Sequence, residues 1–169
     1  MAECRNTGHS GAAEKISYAL NQRLPDDIVV QNSSEIPLDW HPRHCNSRKT
    51  YEYRILNREF PMPQRRLDTW FVYRKLNIPA MCEAAEQFEG THDFKSFCSV
   101  NTAVEDTTRT IYSCELKQDG ELLTIRITGS GFLYNMVRII AGALLKVGFR
   151  QKSPDYIREV LESSQRLIP

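Results

Sequence analysis

The chain has 169 residues, enough for one sizeable core or two small ones, with 41% hydrophobic and 25% charged residues, as in an ordinary soluble globular protein. A net charge of +1 excludes bulk attraction to a polyanion, so a nucleic-acid site has to come from local clustering. Five cysteines (Cys4, Cys45, Cys82, Cys98, Cys114), odd in number and widely spread, form no CxxC pair, so neither a zinc ribbon nor a disulfide framework is indicated and reduced thiols are the simplest reading. There is no signal peptide and no apolar run long enough to span a bilayer, so the expected setting is the cytoplasm.

In chain order, residues 1–11 are polar and small and read as a disordered or added N-terminus; residues 12–169 read as one α+β domain. A short helix is predicted over Ala12 to Leu20 and a strand over Ile28 to Gln31. Arg48 to Leu56 alternates Tyr51, Tyr53 and Ile55 against Thr50, Glu52 and Arg54, the period of a strand with one buried face. Asn57 to Thr69, with Pro61 and Pro63, reads as a loop. Asn77 is a plausible cap for a helix with Pro79 in its first turn, with Met81, Ala84, Ala85 and Phe88 as its buried stripe and Gly90 as its stop. Phe94 and Phe97 crowd together after it. A hairpin follows, one strand near Arg109 to Leu116 and the other from Leu122 to Thr128, turning at Asp119-Gly120.

Gly129-Ser130-Gly131 ends that strand, and a helix running from Phe132 to Val147 comes next. Met136, Ile140, Ala143, Leu144 and Val147 recur at helical spacing and predict its core face. Arg138 lies on another face, beside Tyr134, Asn135, Ala141, Gly142 and Leu145. A guanidinium near a core has to find an anion, because burying it unpaired is costly. A snorkelling or structurally paired arginine is the plainer alternative. A last helix, opened by Ser153-Pro154, runs to Leu161. The order of elements predicts an α+β fold: a mostly antiparallel sheet with helices packed on one face and the other face open, a platform on which RNA commonly binds. Cations cluster at Arg43, Arg48 and Lys49, at Arg65 and Arg66, and at Arg74 and Lys75; such runs are usually solvated surface.

Four segments, in order, resemble the tRNA pseudouridine synthases of the TruA type. They are Ala19-Leu20-Asn21 leading to Leu24-Pro25-Asp26-Asp27-Ile28; His41-Pro42-Arg43 with Lys49-Thr50-Tyr51-Glu52-Tyr53-Arg54-Ile55; Gly90-Thr91-His92-Asp93-Phe94 with Phe97; and Gly131-Phe132-Leu133 to Met136-Val137-Arg138 with Gly142. The resemblance implies an enzyme that isomerises uridine to pseudouridine in the anticodon arm of tRNA without a cofactor, usually as a homodimer. The target base has to be flipped out of its stack and held while a carboxylate acts as nucleophile. Arg138 matches the arginine that keeps that carboxylate ionised, and Tyr51 matches the active-site tyrosine that contacts the uracil and is a candidate for the late proton transfer. Phe132 and Leu133 are expected to contact the base, and Arg43, Arg48 and Lys49 the RNA backbone; no metal is expected.

The family's nucleophile is an aspartate in a motif of the form Gly-Arg-Thr-Asp-Ala-Gly-Val-His-Ala, and this sequence does not contain that motif. Cys4-Arg5-Asn6-Thr7-Gly8-His9 resembles it only faintly and has no aspartate. The expectation is therefore a partial synthase chain, truncated at both ends and inactive alone. Asp93, among aromatics, is the obvious substitute, although an Asp after a helix stop is usually a turn residue. His41, His44 and Cys45 have the spacing of a metal site but lack a carboxylate partner. The alternative to an enzyme is a non-catalytic RNA-binding α+β module, with Arg43, Arg48, Lys49, Arg65 and Arg66 on phosphates.

Overall fold

The computed structural model describes residues 13–41, 47–99 and 106–163. The chain divides at Asn46/Ser47 into two units. In the first, helix α1 spans Lys15–Asn21. Ser33 Oγ accepts the Ser17 N–H at 3.0 Å and donates to the Ala13 carbonyl at 2.6 Å. The strand expected over Ile28 to Gln31 does not form. Both backbone groups of Val30 are taken by the Asn21 carboxamide, which donates to its C=O at 2.9 Å and accepts from its N–H at 2.7 Å. One side chain thus satisfies what a neighbouring strand would have supplied.

The second unit holds a five-stranded sheet in the order β2-β1-β5-β4-β3. Its strands are β1 (Lys49–Asn57), β2 (Trp70–Val72), β3 (Gly90–Asp93), β4 (Thr108–Asp119) and β5 (Leu122–Gly129). Every pairing is antiparallel except β1 with the three-residue edge strand β2, which alternation over so short a run could not announce. Helices α2 (Ile78–Glu86), α3 (Met136–Gly148) and α4 (Tyr156–Ser163) complete the unit. The expected α+β class, a mostly antiparallel sheet with its helices on one face, is what forms.

Register explains which face is covered. Tyr51, Tyr53 and Ile55 stand opposite Ile127, Ile125 and Leu123. Cys114 stands opposite Ile127 on the other side of β5. Ile55, Ile111, Cys114, Leu123, Ile125 and Ile127 are all buried, packed with Met81, Ala84 and Ala85 of α2 and Met136, Ile140 and Leu144 of α3. The opposite face carries Thr50, Glu52, Arg54, Glu115, Lys117, Thr124, Arg126 and Thr128. At the crossing of α2 and α3, a Cβ on Gly148 would lie 2.5 Å from Met81 Sδ, so a side chain there would make Met81 move.

Two boundaries differ from expectation. Helix α2 ends at Glu86, and Gly90, at φ +108°, opens β3 rather than stopping the helix. Helix α3 begins at Met136, not Phe132, because Asn135 takes a left-handed backbone (φ 60°) that helical geometry cannot include. Asn57 fastens the long segment after β1, its amide donating to the carbonyls of Val72 and Arg74, both at 2.8 Å. No helix among the described residues is long and apolar enough to cross a membrane.

Candidate active site

The start of β1, the end of β5 and the start of α3 come to one end of the sheet. Lys49 stands opposite Gly129, and Tyr51 opposite Ile127. At Gly129 the chain has no room for a side chain: a Cβ would sit 2.8 Å from the Thr110 carbonyl oxygen and 3.4 Å from Phe132 Cζ. The Phe132 ring thus folds back over the end of β5 and meets Tyr51 edge to face, centroids 5.0 Å apart at 83°. Tyr51 is on the core-side face of β1 yet 51% exposed, because it lies at the strand's outer end. Phe132 is half-buried, and Leu133 is buried at 5% exposure.

The turn into α3 is held from outside. The Asn135 amide donates to Ser99 Oγ at 2.9 Å, and the Ser99 N–H donates to the Tyr134 carbonyl at 3.3 Å. Arg138 follows as the third residue of the helix. It is exposed, and no hydrogen bond or ion pair holds its guanidinium among the described residues. The sequence expectation of an arginine forced by burial to find an anion is corrected here: solvent reaches it, and it is neither buried nor paired. Of its expected neighbours, Ala141 and Leu145 are turned into the core. Gly142 leaves open space, since a Cβ there would meet nothing within 4 Å. An unneutralised guanidinium in the first turn adds to the positive end of a 13-residue helix, a place that favours a carboxylate or phosphate.

An aromatic shelf at the end of the sheet where a helix with an exposed, unpaired cation begins suits a flat base and an anion, and comparison with known proteins gives the same direction. Residues 84–168, half of the chain, match the family model described as tRNA pseudouridine synthase. The chain belongs to the tRNA pseudouridine synthase family. It is 42% identical over 161 residues to tRNA pseudouridine synthase A of Acetivibrio thermocellus, covering 95% of this chain and 65% of that protein. It is 44% identical over 164 residues to the Geobacillus kaustophilus protein of the same name, covering 96% and 63%. For the Bacillus subtilis protein of that name, the identity is 44% over 154 residues, covering 91% and 62%. The chain thus spans less than two thirds of the length of these curated relatives.

Among pseudouridine synthase features expected from the sequence, Arg48 and Lys49 lie at this same end, at the start of β1. The Arg48 guanidinium stacks over Tyr112 at 4.7 Å, and Tyr112 is the extra residue of a bulge between Ile111 and Ser113. Lys49 is half-buried opposite Gly129. Arg43, like His44 and Cys45, lies outside the described residues. Asp93 is the last residue of β3, and its Oδ1 accepts the Lys95 N–H at 3.0 Å and the Thr107 hydroxyl. A cation that sequence reasoning passed over is Arg109, whose Cδ and Nε lie 3.8 Å from a Cβ built on Gly131. Among the described residues it hydrogen-bonds only to carbonyls of Asp106 and Thr108, so no carboxylate there neutralises it by direct contact. The signal was available in the hairpin register, which brings the start of β4 beside the end of β5.

The open face of the sheet is of another kind. A depression of about 350 Å³ there is lined by Glu52, Arg54, Arg65, Glu115, Lys117, Leu122, Thr124 and Arg126. Arg126 donates to Glu52 at 2.6 and 3.0 Å, and Arg54 at 3.2 Å. These two guanidinia, Arg126 foremost, hold the Glu52 carboxyl below its ordinary range. Charge on this face is largely spent internally, and the aromatics of β1 are on the other side.

Proposed function

We propose that the protein isomerises uridine to pseudouridine in the anticodon arm of tRNA, in the cytoplasm and as a homodimer, with Tyr51, Phe132 and Arg138 in its active site. The observation that carries this reading is the half-exposed Tyr51 ring, braced edge-on by Phe132 at 5.0 Å at the end of the sheet where the helix of Arg138 begins.

A uridine flipped from its stack finds in Tyr51 a flat surface fixed by a second ring, worth about 1–3 kcal/mol per stacked base. Leu133 holds the Phe132 loop against the core. Arg138 keeps the nucleophilic carboxylate ionised by offering it an unpaired positive charge. That carboxylate belongs to the Gly-Arg-Thr-Asp motif of the family. As it bonds to the sugar, the bond to the base nitrogen breaks; the carboxylate leaves again as a ring carbon of the turned base bonds to the sugar, that carbon loses its proton and the freed nitrogen gains one, with the Tyr51 hydroxyl as the candidate for the proton transfer. Arg48, Lys49 and Arg43 serve as phosphate contacts, and Arg109 is a further cation for the same role. No step calls for a cofactor.

A second reading, an RNA-binding α+β module without catalysis, is favoured by the cations Arg48, Lys49 and Arg109 at the starts of β1 and β4. The test joins this chain to a family segment carrying Gly-Arg-Thr-Asp-Ala-Gly-Val-His-Ala and incubates it with unmodified tRNA. Pseudouridine, scored by a derivatisation that adds mass only to that base, is the expected result. Tight, salt-sensitive tRNA binding without product gives the position to the binding module.

A further inference from the structure

The active-site aromatics do not end at Tyr51. Tyr53 shares its strand face, about 6.6 Å further along β1 at the usual rise of a strand. Its ring meets Trp70 of β2 at 6.1 Å and 81°. Four rings, Phe132, Tyr51, Tyr53 and Trp70, therefore run in sequence from the proposed site to the edge of the sheet. Trp70 is 47% exposed, and the segment that frames β2 adds Phe60 at 64% and Tyr73 at 70%. Isolated exposed aromatics are common on protein surfaces; three on one short segment beside an edge strand are not.

The charge of this segment is as uneven as its apolarity. Residues 58–75 carry five basic side chains against two acidic ones, in a chain whose net charge is only +1. Arg58 pairs with Glu121, and Arg65 with Asp68. Arg66 donates to the Pro63 carbonyl, Arg74 stacks over Phe149 at 4.7 Å, and both are exposed, as is Lys75. Hydrogen bonds from Asn57 and Arg58 fasten the two ends of the segment together, at the carbonyls of Val72 and Arg74. The segment is thus fastened at both ends, and a ligand that engages its exposed rings and cations has to supply both negative charge and flat apolar faces. A second copy of this chain docked through the same edge would bring like charge against like.

We infer that the β2 edge, with Trp70, Phe60 and Tyr73 among Arg66, Arg74 and Lys75, is a second RNA-contacting surface that stacks unpaired nucleotides flanking the target uridine. It rests on the RNA-modifying reading of the site and extends it from one flipped base to a track. Bases stack on the rings while the cations meet the phosphates between them. The preference this confers is for single-stranded sequence around the target and is indifferent to base identity.

Trp70 is its own reporter. Trp40→Phe leaves it the single tryptophan of the chain, and its fluorescence is followed on titration with a single-stranded heptamer of uridine and with an unmodified anticodon stem-loop. Saturable quenching is expected for both. Trp70→Ala, read by RNA competition, and Tyr73→Ala are expected to weaken binding about tenfold each. Lys75→Ala should flatten the salt dependence by about 0.7 in log–log slope. Melting temperatures and sedimentation are measured on each variant; Tyr73 and Lys75 are exposed enough to be changed without unfolding the chain. With Tyr51→Ala, affinity falls but the quenching of Trp70 at saturation stays. If Tyr51→Ala weakens binding while Trp70 is not quenched and the edge variants bind normally, the edge surface is refuted and the site reading stands. If the chain binds neither RNA, both fall. If Trp70→Ala instead turns a dimer into a monomer, the edge is a protein interface and the inference is overturned.

Discussion

The Tyr51 ring rests at 83° against the Phe132 ring, centroids 5.0 Å apart, although the two residues belong to segments 81 positions apart in the chain. Gly129 makes the contact possible, because any side chain there would collide with the Thr110 carbonyl and press on Phe132. An aromatic pair of this geometry is worth about 0.5–1.5 kcal/mol beyond the area it buries. A double-mutant cycle of Tyr51→Ala and Phe132→Ala on tRNA affinity should therefore return a coupling of about that size. Additive losses would show that Phe132 does not brace Tyr51. Tyr51→Phe is expected to keep tRNA affinity and lower turnover only, which isolates the hydroxyl.

Two glycines near the candidate site should respond in opposite directions. Gly129→Ala forces a Cβ to 2.8 Å from a backbone oxygen and is expected to destabilise the chain by about 1–3 kcal/mol. Gly142→Ala meets nothing within 4 Å in a helix interior and should stabilise it by about 0.5–1 kcal/mol. Denaturant unfolding measures both. If Gly142→Ala also weakens tRNA binding despite the added stability, the open space beside Arg138 is used by the ligand.

Much of this organisation could be read in the sequence, and the parts that could not have physical reasons. The alternation in β1 was enough to put Tyr51, Tyr53 and Ile55 on one face, since a strand's period leaves no other choice. The helical spacing of Met136, Ile140 and Leu144 likewise gave the core face of α3. The exposure of Arg138 could not be read, because an apolar helix places its first turn at the rim of a core as often as inside it. Strand β2 was missed because three residues paired in parallel carry no period of their own. The strand expected at Ile28 to Gln31 failed because β-branched residues give propensity but not a partner, and Asn21 took the backbone first.

Acid should loosen the open face of the sheet in a particular way. Glu52 is held below its ordinary value of 4.5 by Arg126 and Arg54. A carboxyl with a lowered folded-state value contributes stability that is present above the unfolded value and is lost as pH falls through the folded one. Thermal unfolding should therefore show an acid-side decline beginning below about pH 4.5, and Glu52→Gln should remove its share of it. An unchanged acid limb in the variant would mean the pair contributes nothing.

Burial pushes the Cys114 thiol up to about 12, with Glu89 and Glu115 adding to it. At pH 8 it is expected to resist alkylation in the folded chain and to react fully once unfolded, as mass spectrometry of trapped peptides would show. Rapid native labelling would contradict the packing of β4 against α2.

The central claim is that Arg138 serves the reacting carboxylate and not the RNA backbone or the fold. The most direct measurement is pseudouridine formation and tRNA affinity, side by side, for this chain joined to the aspartate-bearing family segment, with and without Arg138→Ala. The account predicts that turnover is abolished while affinity and melting temperature stay nearly unchanged, because no contact among the described residues depends on that guanidinium. Turnover that survives Arg138→Ala, or a collapse of affinity in its place, would contradict it.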